Sequence, residues 1–179
     1  MASWQDDLDV ARAKHRRDPT SRYAQLATTD ADGRPRCRTV VVRTFEPETA
    51  RLLVATDARS AKVTQLERSR WVELCWYFRK TREQFRLLAQ GSILHGDITR
   101  KLWASLSPSG RRSFLWPAPG QPRAPSSRFE VDDPAAPPPS FVGLALDVDE
   151  VDHLVLGGDP HQRRRFRRAD GWQREALNP

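Results

Sequence analysis

Tyr23-Ala-Gln-Leu-Ala-Thr-Thr29, Asp30-Ala-Asp-Gly33 and Arg36-Cys-Arg-Thr-Val-Val-Val-Arg-Thr-Phe45 read as strand, tight turn and strand. The Asp-Gly turn between two β-branched, alternating runs is a hairpin signal. In the second run Arg38, Val40 and Val42 fall on one face, and Cys37, Thr39, Val41, Arg43 and Phe45 on the other. A third strand, Arg51–Thr56, follows the turn at Glu46-Pro-Glu48. Ser60 then stands where a helix N-cap belongs, with a helix expected to run to about Arg68. Trp71–Phe78 and Glu83–Ile93 form a second hairpin, and Arg100–Leu106 is helical in pattern.

Working outward, residues 4–17 alternate acidic and basic positions around Trp4, Leu8, Val10 and Ala11, as a short amphipathic helix does before Asp18-Pro19 breaks it. Residues 108–139 hold 9 of the 14 prolines and little apolar periodicity, so this stretch is expected to be a long functional loop or disordered. Strands are expected again at Phe141–Val148 and, separately, at His153–Leu156. Arg163–Arg168, the turn Ala169-Asp-Gly171 and Trp172–Leu177 should make a closing hairpin. About seven short, mostly antiparallel strands with two or three covering helices predict a mainly β, Greek-key-like closed barrel.

At 179 residues the chain is sized for one domain. No apolar run approaches the ~20 residues of a membrane helix, and Met1-Ala-Ser-Trp-Gln-Asp-Asp7 lacks a signal-peptide layout. A cytoplasmic location is the expectation. Cys37 and Cys75 each stand alone in a strand and are expected as half-buried thiols. The net charge of +7 raises a nucleic-acid role, with Arg163-Arg-Arg-Phe-Arg-Arg168 as its one dense cluster. Yet only Lys14, Lys62, Lys80 and Lys101 are lysines, and 26 arginines carry the remaining positive charge, a skew that fits coding bias.

No catalytic set emerges. His15, His95, His153 and His161 are scattered without metal-ligand spacing, so no metal site is expected. Neither a nucleophile elbow nor a phosphate-binding glycine loop follows a strand. Chemistry would then have to come from a bound cofactor. Thr56-Asp-Ala-Arg-Ser60-Ala-Lys62 ends a strand and opens a helix, so backbone N–H groups, a hydroxyl and an ammonium suit a phosphate there. In the plainer alternative Ser60 only caps the helix and Lys62 is solvated.

The blocks Arg38-Thr-Val-Val-Val-Arg43, Leu53-Val-Ala-Thr56, Ser60-Ala-Lys62 and Glu83-Gln-Phe85 resemble the flavin-binding half of the pyridoxamine 5′-phosphate oxidase family. The family's counterparts are R-x-V-L-L-K, F-Y-T, S-R-K and R-Q-V. Gly157-Gly158, Arg165-Phe166 and the terminal Trp172…Leu177-Asn-Pro179 are similar to its later motifs, and the middle of the chain looks like the Alr4036-type branch. The resemblance covers roughly residues 20–92 and 153–179. It implies an FMN-binding split β-barrel over residues 1–179, with a flavin-binding core at 18–95, a Pro-rich loop at 107–140 and C-terminal strands at 141–179. It also implies a homodimer with flavin at the subunit interface.

Carried over by position, the resemblance implies cofactor contacts along Arg38, Thr39, Val40, Val41, Val42 and Arg43, and from Ala55 and Thr56. Arg38, Lys62, Thr56 and Ser60 would hold the phosphate; Arg43 and Gln84 would approach the ring. Gln121 matches a further flavin-contacting glutamine, and Arg165 an arginine from the partner subunit. Departures are equally specific. Ala55 replaces an aromatic, Ala61 a phosphate-binding arginine, and Val155 a tryptophan that packs on the flavin. The substrate-phosphate clamp is missing, because its positions fall at Trp103, Ser107 and His161-Gln-Arg163. The expectation is an FMN-dependent oxidoreductase acting on a small molecule other than pyridoxamine phosphate. A flavin carrier or sensor without turnover is the alternative, and a basic nucleic-acid-binding protein a further one.

Overall fold

The computed structural model describes residues 3–179. In chain order the elements are α1 (Trp4–Lys14), β1 (Tyr23–Thr29), β2 (Pro35–Glu46), β3 (Arg51–Asp57), α2 (Ala61–Arg68), β4 (Trp71–Phe78), β5 (Glu83–Leu94), α3 (Asp97–Ala104), α4 (Pro108–Arg112), β6 (Phe141–Val155), β7 (Gln162–Arg167) and β8 (Glu175–Leu177). The strands form one antiparallel sheet in the order β3-β2-β1-β4-β5-β6-β7-β8, and β3 pairs back onto β6. Six strands therefore close into a barrel, with β7 and β8 as an appended flap. Strands β1 to β3 follow one another as hairpins, and β4 returns through α2 to lie beside β1; this is Greek-key order.

The hairpin register follows from burial alternation. Ala24, Leu26 and Thr28 of β1 face the core together with Val40 and Val42 of β2. A bulge between Val42 and Thr44 then shifts the phase, so that Phe45 turns inward as well. The β2–β3 ladder begins at Val42↔Val54 and runs only toward Glu46↔Arg51. Beyond it β3 continues on β6, through Ala55↔Gly143 to Asp57↔Phe141, while Arg38–Val41 pair with β1 alone. The barrel splits here, leaving one edge of β2 free of a ladder partner.

Two helices close the ends. Ser3 and Asp6 form a capping box at the start of α1, whose Trp4, Leu8 and Ala11 insert into the core. Trp4 packs against Phe45 and Trp172. At the other end α2 buries Val63 and Leu66 and rests on Gly91 of β5, where an added Cβ would lie 2.5 Å from Leu66 Cδ2. Gly91→Val is expected to cost about 1–3 kcal/mol through overpacking. It should also tilt α2 and weaken ligand binding at its N-terminus, read by chemical denaturation and by FMN titration of the same variant.

Two expectations need correction. β6 is one strand of 15 residues, where a break was expected near residues 149–152. The acidic residues at and beside that point are each matched across the sheet: Asp147 by Arg51, Glu150 by Arg167 and Asp152 by Arg163. Asp149 is the extra residue of a bulge opposite Leu88 and Ala89, and it receives Gln90 and Arg168. The closing hairpin is also shorter than expected, since only Glu175–Leu177 pair with β7. Both cysteines are free thiols; Cys75 is half-buried as expected, but Cys37 is exposed, which corrects the expectation for it. Among the described residues no helix is long and apolar enough to cross a membrane.

Candidate functional site

A cavity of about 540 Å³ opens at the split, within the size range of small-molecule sites. One wall is the free edge of β2 at Arg38, Thr39, Val40 and Val41, and another is Ala55, Thr56 and Asp57 of β3. Lys62 reaches in from α2. The roof comes from the Pro-rich stretch, with Trp116, Gln121 and Phe129 among its lining residues.

The polar end is built around two cations. Lys62 Nζ donates to Thr56 Oγ1 at 2.8 Å and Ser60 Oγ at 2.9 Å, and Ser60 Oγ donates onward to the Asp57 carbonyl at 2.6 Å. Ser60 occupies the N-cap position of α2 but makes no side-chain cap bond. Its hydroxyl serves the lysine, a correction to the expected cap. Arg38 donates to the Leu26 carbonyl, to Thr28 Oγ1 and to Gln65 Oε1, and has no carboxylate partner among the described residues. Burial lowers the pKa of Lys62, and the nearby charge of Arg38 lowers it further, with Asp57 opposing only in part. Burial likewise lowers that of Arg38. Two half-buried cations that repel each other and lack a full counter-charge make an anion site.

A second hydrophobic cluster supports the roof. Leu102, Trp103, Leu106, Phe114 and Phe141 pack together, with Ala55 against them. Arg59 pairs with Asp57 and donates to the carbonyl of Trp116, and Ser140 Oγ donates to that of Phe114. The turn that carries Ser60 and the loop that covers the cavity are thereby tied together. Trp103, at a position where the family's substrate clamp falls, is buried and its ring stacks edge-on with Phe114 and Phe141.

The cavity gathers Arg38, Thr39, Val40, Val41, Ala55, Thr56, Lys62 and Gln121, with Ser60 bonded to Lys62. Four other expected positions lie outside it. Val42 and Arg43 line a separate recess at the α1 end of the barrel, because five residues of strand carry Arg43 roughly 17 Å from Arg38. Gln84 is on β5 opposite Tyr77 and Leu154. Arg165 is on β7, joined to Glu175 by three hydrogen bonds. Within a single chain these residues do not converge on the cavity. Sequence reading missed Gln65, Thr28 and Arg59, which orient the arginine and the loop from positions that carry no motif.

The pattern of residues 1–95 matches the family model described as the FMN-binding domain of pyridoxamine 5′-phosphate oxidase. The chain belongs to this FMN-binding family. Pyridoxine/pyridoxamine 5′-phosphate oxidase 2 of Arabidopsis thaliana is 34% identical, spanning 100% of this chain and 98% of that protein. A dihydrophenazinedicarboxylate synthase of Pseudomonas chlororaphis is 28% identical over 96% of this chain and 80% of its own. Among solved structures, a pyridoxamine 5′-phosphate oxidase-related, FMN-binding protein of Nostoc punctiforme superposes with a TM-score of 0.92. It is 39% identical and matches over 100% of this chain and 99% of that one. FMN is the cofactor of this family, and the cations at the cavity suit its phosphate monoester in charge and donor geometry. The split barrel expected from the motifs is the family fold.

Proposed function

We propose that the protein is an FMN-dependent oxidoreductase, active as a cytoplasmic homodimer on a small molecule. The observation that carries this reading is the Arg38–Lys62 pair, only partly compensated by Asp57, at one end of a roofed, largely apolar cavity. Lys62 and Arg38 bind the phosphate, with the hydroxyls of Thr56 and Ser60 orienting the ammonium. The unladdered edge of β2 offers backbone groups to the rest of the cofactor. Bound FMN supplies a ring that accepts or donates two electrons, so the protein needs no side-chain nucleophile. Trp116, Phe129 and the prolines of the roof cover part of the cavity with apolar surface, against which a flat ring can pack. Gln84 and Arg165, remote from the cavity of their own chain, serve the site of the partner subunit. Tyr23, Trp71 and Tyr77, exposed on the outer face of the neighbouring strands β1 and β4, are suited to cover that interface.

The roofed cavity favours turnover over the carrier alternative, in which the loop would lie collapsed on the strand. The nucleic-acid alternative loses its main support. Arg163, Arg164, Arg165, Arg167 and Arg168 each pair with a carboxylate, namely Asp152, Asp7, Glu175, Glu150 and Asp149, so the run presents little free positive charge. Titration of purified protein with FMN is the direct test. Quenching of FMN fluorescence, and a flavin absorption band that survives desalting, are the expected results; their absence sinks the cofactor reading.

A further inference from the structure

The side-chain donors on the floor of the cavity fall short of what a phosphate monoester takes. Such a group carries about −1.5 to −2 charge at neutral pH and three strong acceptor oxygens. Arg38 gives both hydrogens of Nη1 to the Leu26 carbonyl and Thr28 Oγ1, and one of Nη2 to Gln65 Oε1. Only its Nε–H and one Nη2 hydrogen are left for a ligand. Lys62 gives two of its three hydrogens to Thr56 and Ser60. Ala61, between Ser60 and Lys62, has no donor in its side chain. Arg59 of the same turn is neutralised, because Asp57 takes its Nε and Nη2 and the Trp116 carbonyl takes Nη2 as well. Asp57 also lines the cavity and offsets part of the charge of Lys62.

One further cation lines the cavity. Arg123 stands on the Pro-rich roof, with its guanidinium carbon 4.8 Å from the centroid of the Phe129 ring. The Phe129 carbonyl accepts the Trp116 Nε1–H at 2.9 Å, and the Trp116 carbonyl is the one that Arg59 holds. Arg123 is thereby tied to the Ser60 turn through two residues. Stacking on a ring occupies the face of a guanidinium and leaves its N–H edge, with five donors, to other partners. Arg123 makes no hydrogen bond or ion pair among the described residues, although Glu130 stands on the same outer rim. We infer that Arg123 is the third cation of the phosphate site, closing over the phosphate from the roof while Arg38 and Lys62 hold it from the strand and the helix. This assignment rests on the flavin reading above. It gives the Pro-rich stretch a binding role, since only a flavin that bears a phosphate joins roof to floor.

The test is fluorescence titration with FMN and with riboflavin of wild type, Arg123→Ala, Arg123→Lys, Ala61→Arg and the double variant Ala61→Arg with Arg123→Ala. Arg123→Ala should weaken FMN binding by about tenfold and leave riboflavin binding unchanged. Arg123→Lys should recover part of the loss, because the charge remains and the planar, stacked fork does not. Ala61→Arg places a guanidinium on the turn beside Lys62. It should restore FMN binding in Arg123→Ala and add little to wild type, the coupling expected of two groups that share one phosphate. Unchanged FMN affinity in Arg123→Ala overturns the assignment. Equal losses for FMN and riboflavin also overturn it, by making Arg123 a part of the roof's packing alone. Equal gains from Ala61→Arg in both backgrounds do the same. If wild-type protein binds neither flavin, the flavin reading falls and takes the assignment with it, an outcome distinct from the other three.

Discussion

Lys62→Met is expected to weaken FMN binding by about 10- to 100-fold and to leave riboflavin binding nearly unchanged, because a hydrogen bond to a charged group is worth about 1.5–3 kcal/mol. Riboflavin has the same ring and side chain without the phosphate, so the two ligands separate the anion site from the rest of the cavity. Equal losses for both would mean that Lys62 does not touch the phosphate. The same substitution should stabilise the flavin-free protein or leave it unchanged, since it removes a half-buried cation repelled by Arg38. The pH dependence has a definite sign. In the folded, flavin-free protein Lys62 titrates below its ordinary value of 10.5. Between those two values the unfolded chain binds more protons, so stability rises with pH there. A bound phosphate favours the charged lysine. FMN affinity should therefore fall as pH rises through the lowered value, and this fall should vanish in Lys62→Met.

Trp4→Ala should be strongly destabilising. Trp4 is fully buried and joins α1 to Phe45 and Trp172. Removing a buried aromatic costs about 3–5 kcal/mol, against a total of roughly 5–15 kcal/mol for a domain. At about 2–4 °C per kcal/mol for a chain of this size, the melting temperature should fall by on the order of 6–20 °C. Trp4→Phe should cost far less, because the indole N–H of Trp4 is itself buried without an acceptor. α1 carries Arg12 and leads into Arg16, so Trp4→Ala should loosen the recess that Arg43 lines while the Arg38–Lys62 cradle, held by α2, keeps its FMN affinity. Parallel thermal melts and FMN titrations of the two variants check this. Equal loss at both ends would show that the barrel, and not α1 alone, depends on Trp4.

Much of this architecture was legible in the chain. Tyr23–Thr29, Trp71–Phe78 and the helix to Arg68 have the bounds that alternation and a polar N-cap indicate. Hairpin strands read well because period-2 burial and an Asp-Gly turn are local properties. The long strand β6 did not, because its charged residues break the hydrophobic pattern and are satisfied by partners on the strands beside it, which the chain order does not show. Ser60 shows the same limit at the site. Its position signals a helix cap, yet its hydroxyl is taken by Lys62, and only packing of α2 on Gly91 brings that lysine to Thr56.

The hairpin Tyr23–Phe45 and the spaced blocks from Arg38 to Gln84 determined the barrel class, the family and FMN without help from coordinates, because residue alternation and motif spacing are written along the chain. Where the ligand-binding groups meet was decided by tertiary structure alone. The early end of the β2–β3 ladder opens the cavity at Arg38–Val41, pairing with β6 holds the far wall on β3 in place, and a strand's fixed rise sends Arg43 to a recess of its own. Those outcomes depend on which strands pair and where pairing stops, and that is a balance of contacts between residues far apart in sequence.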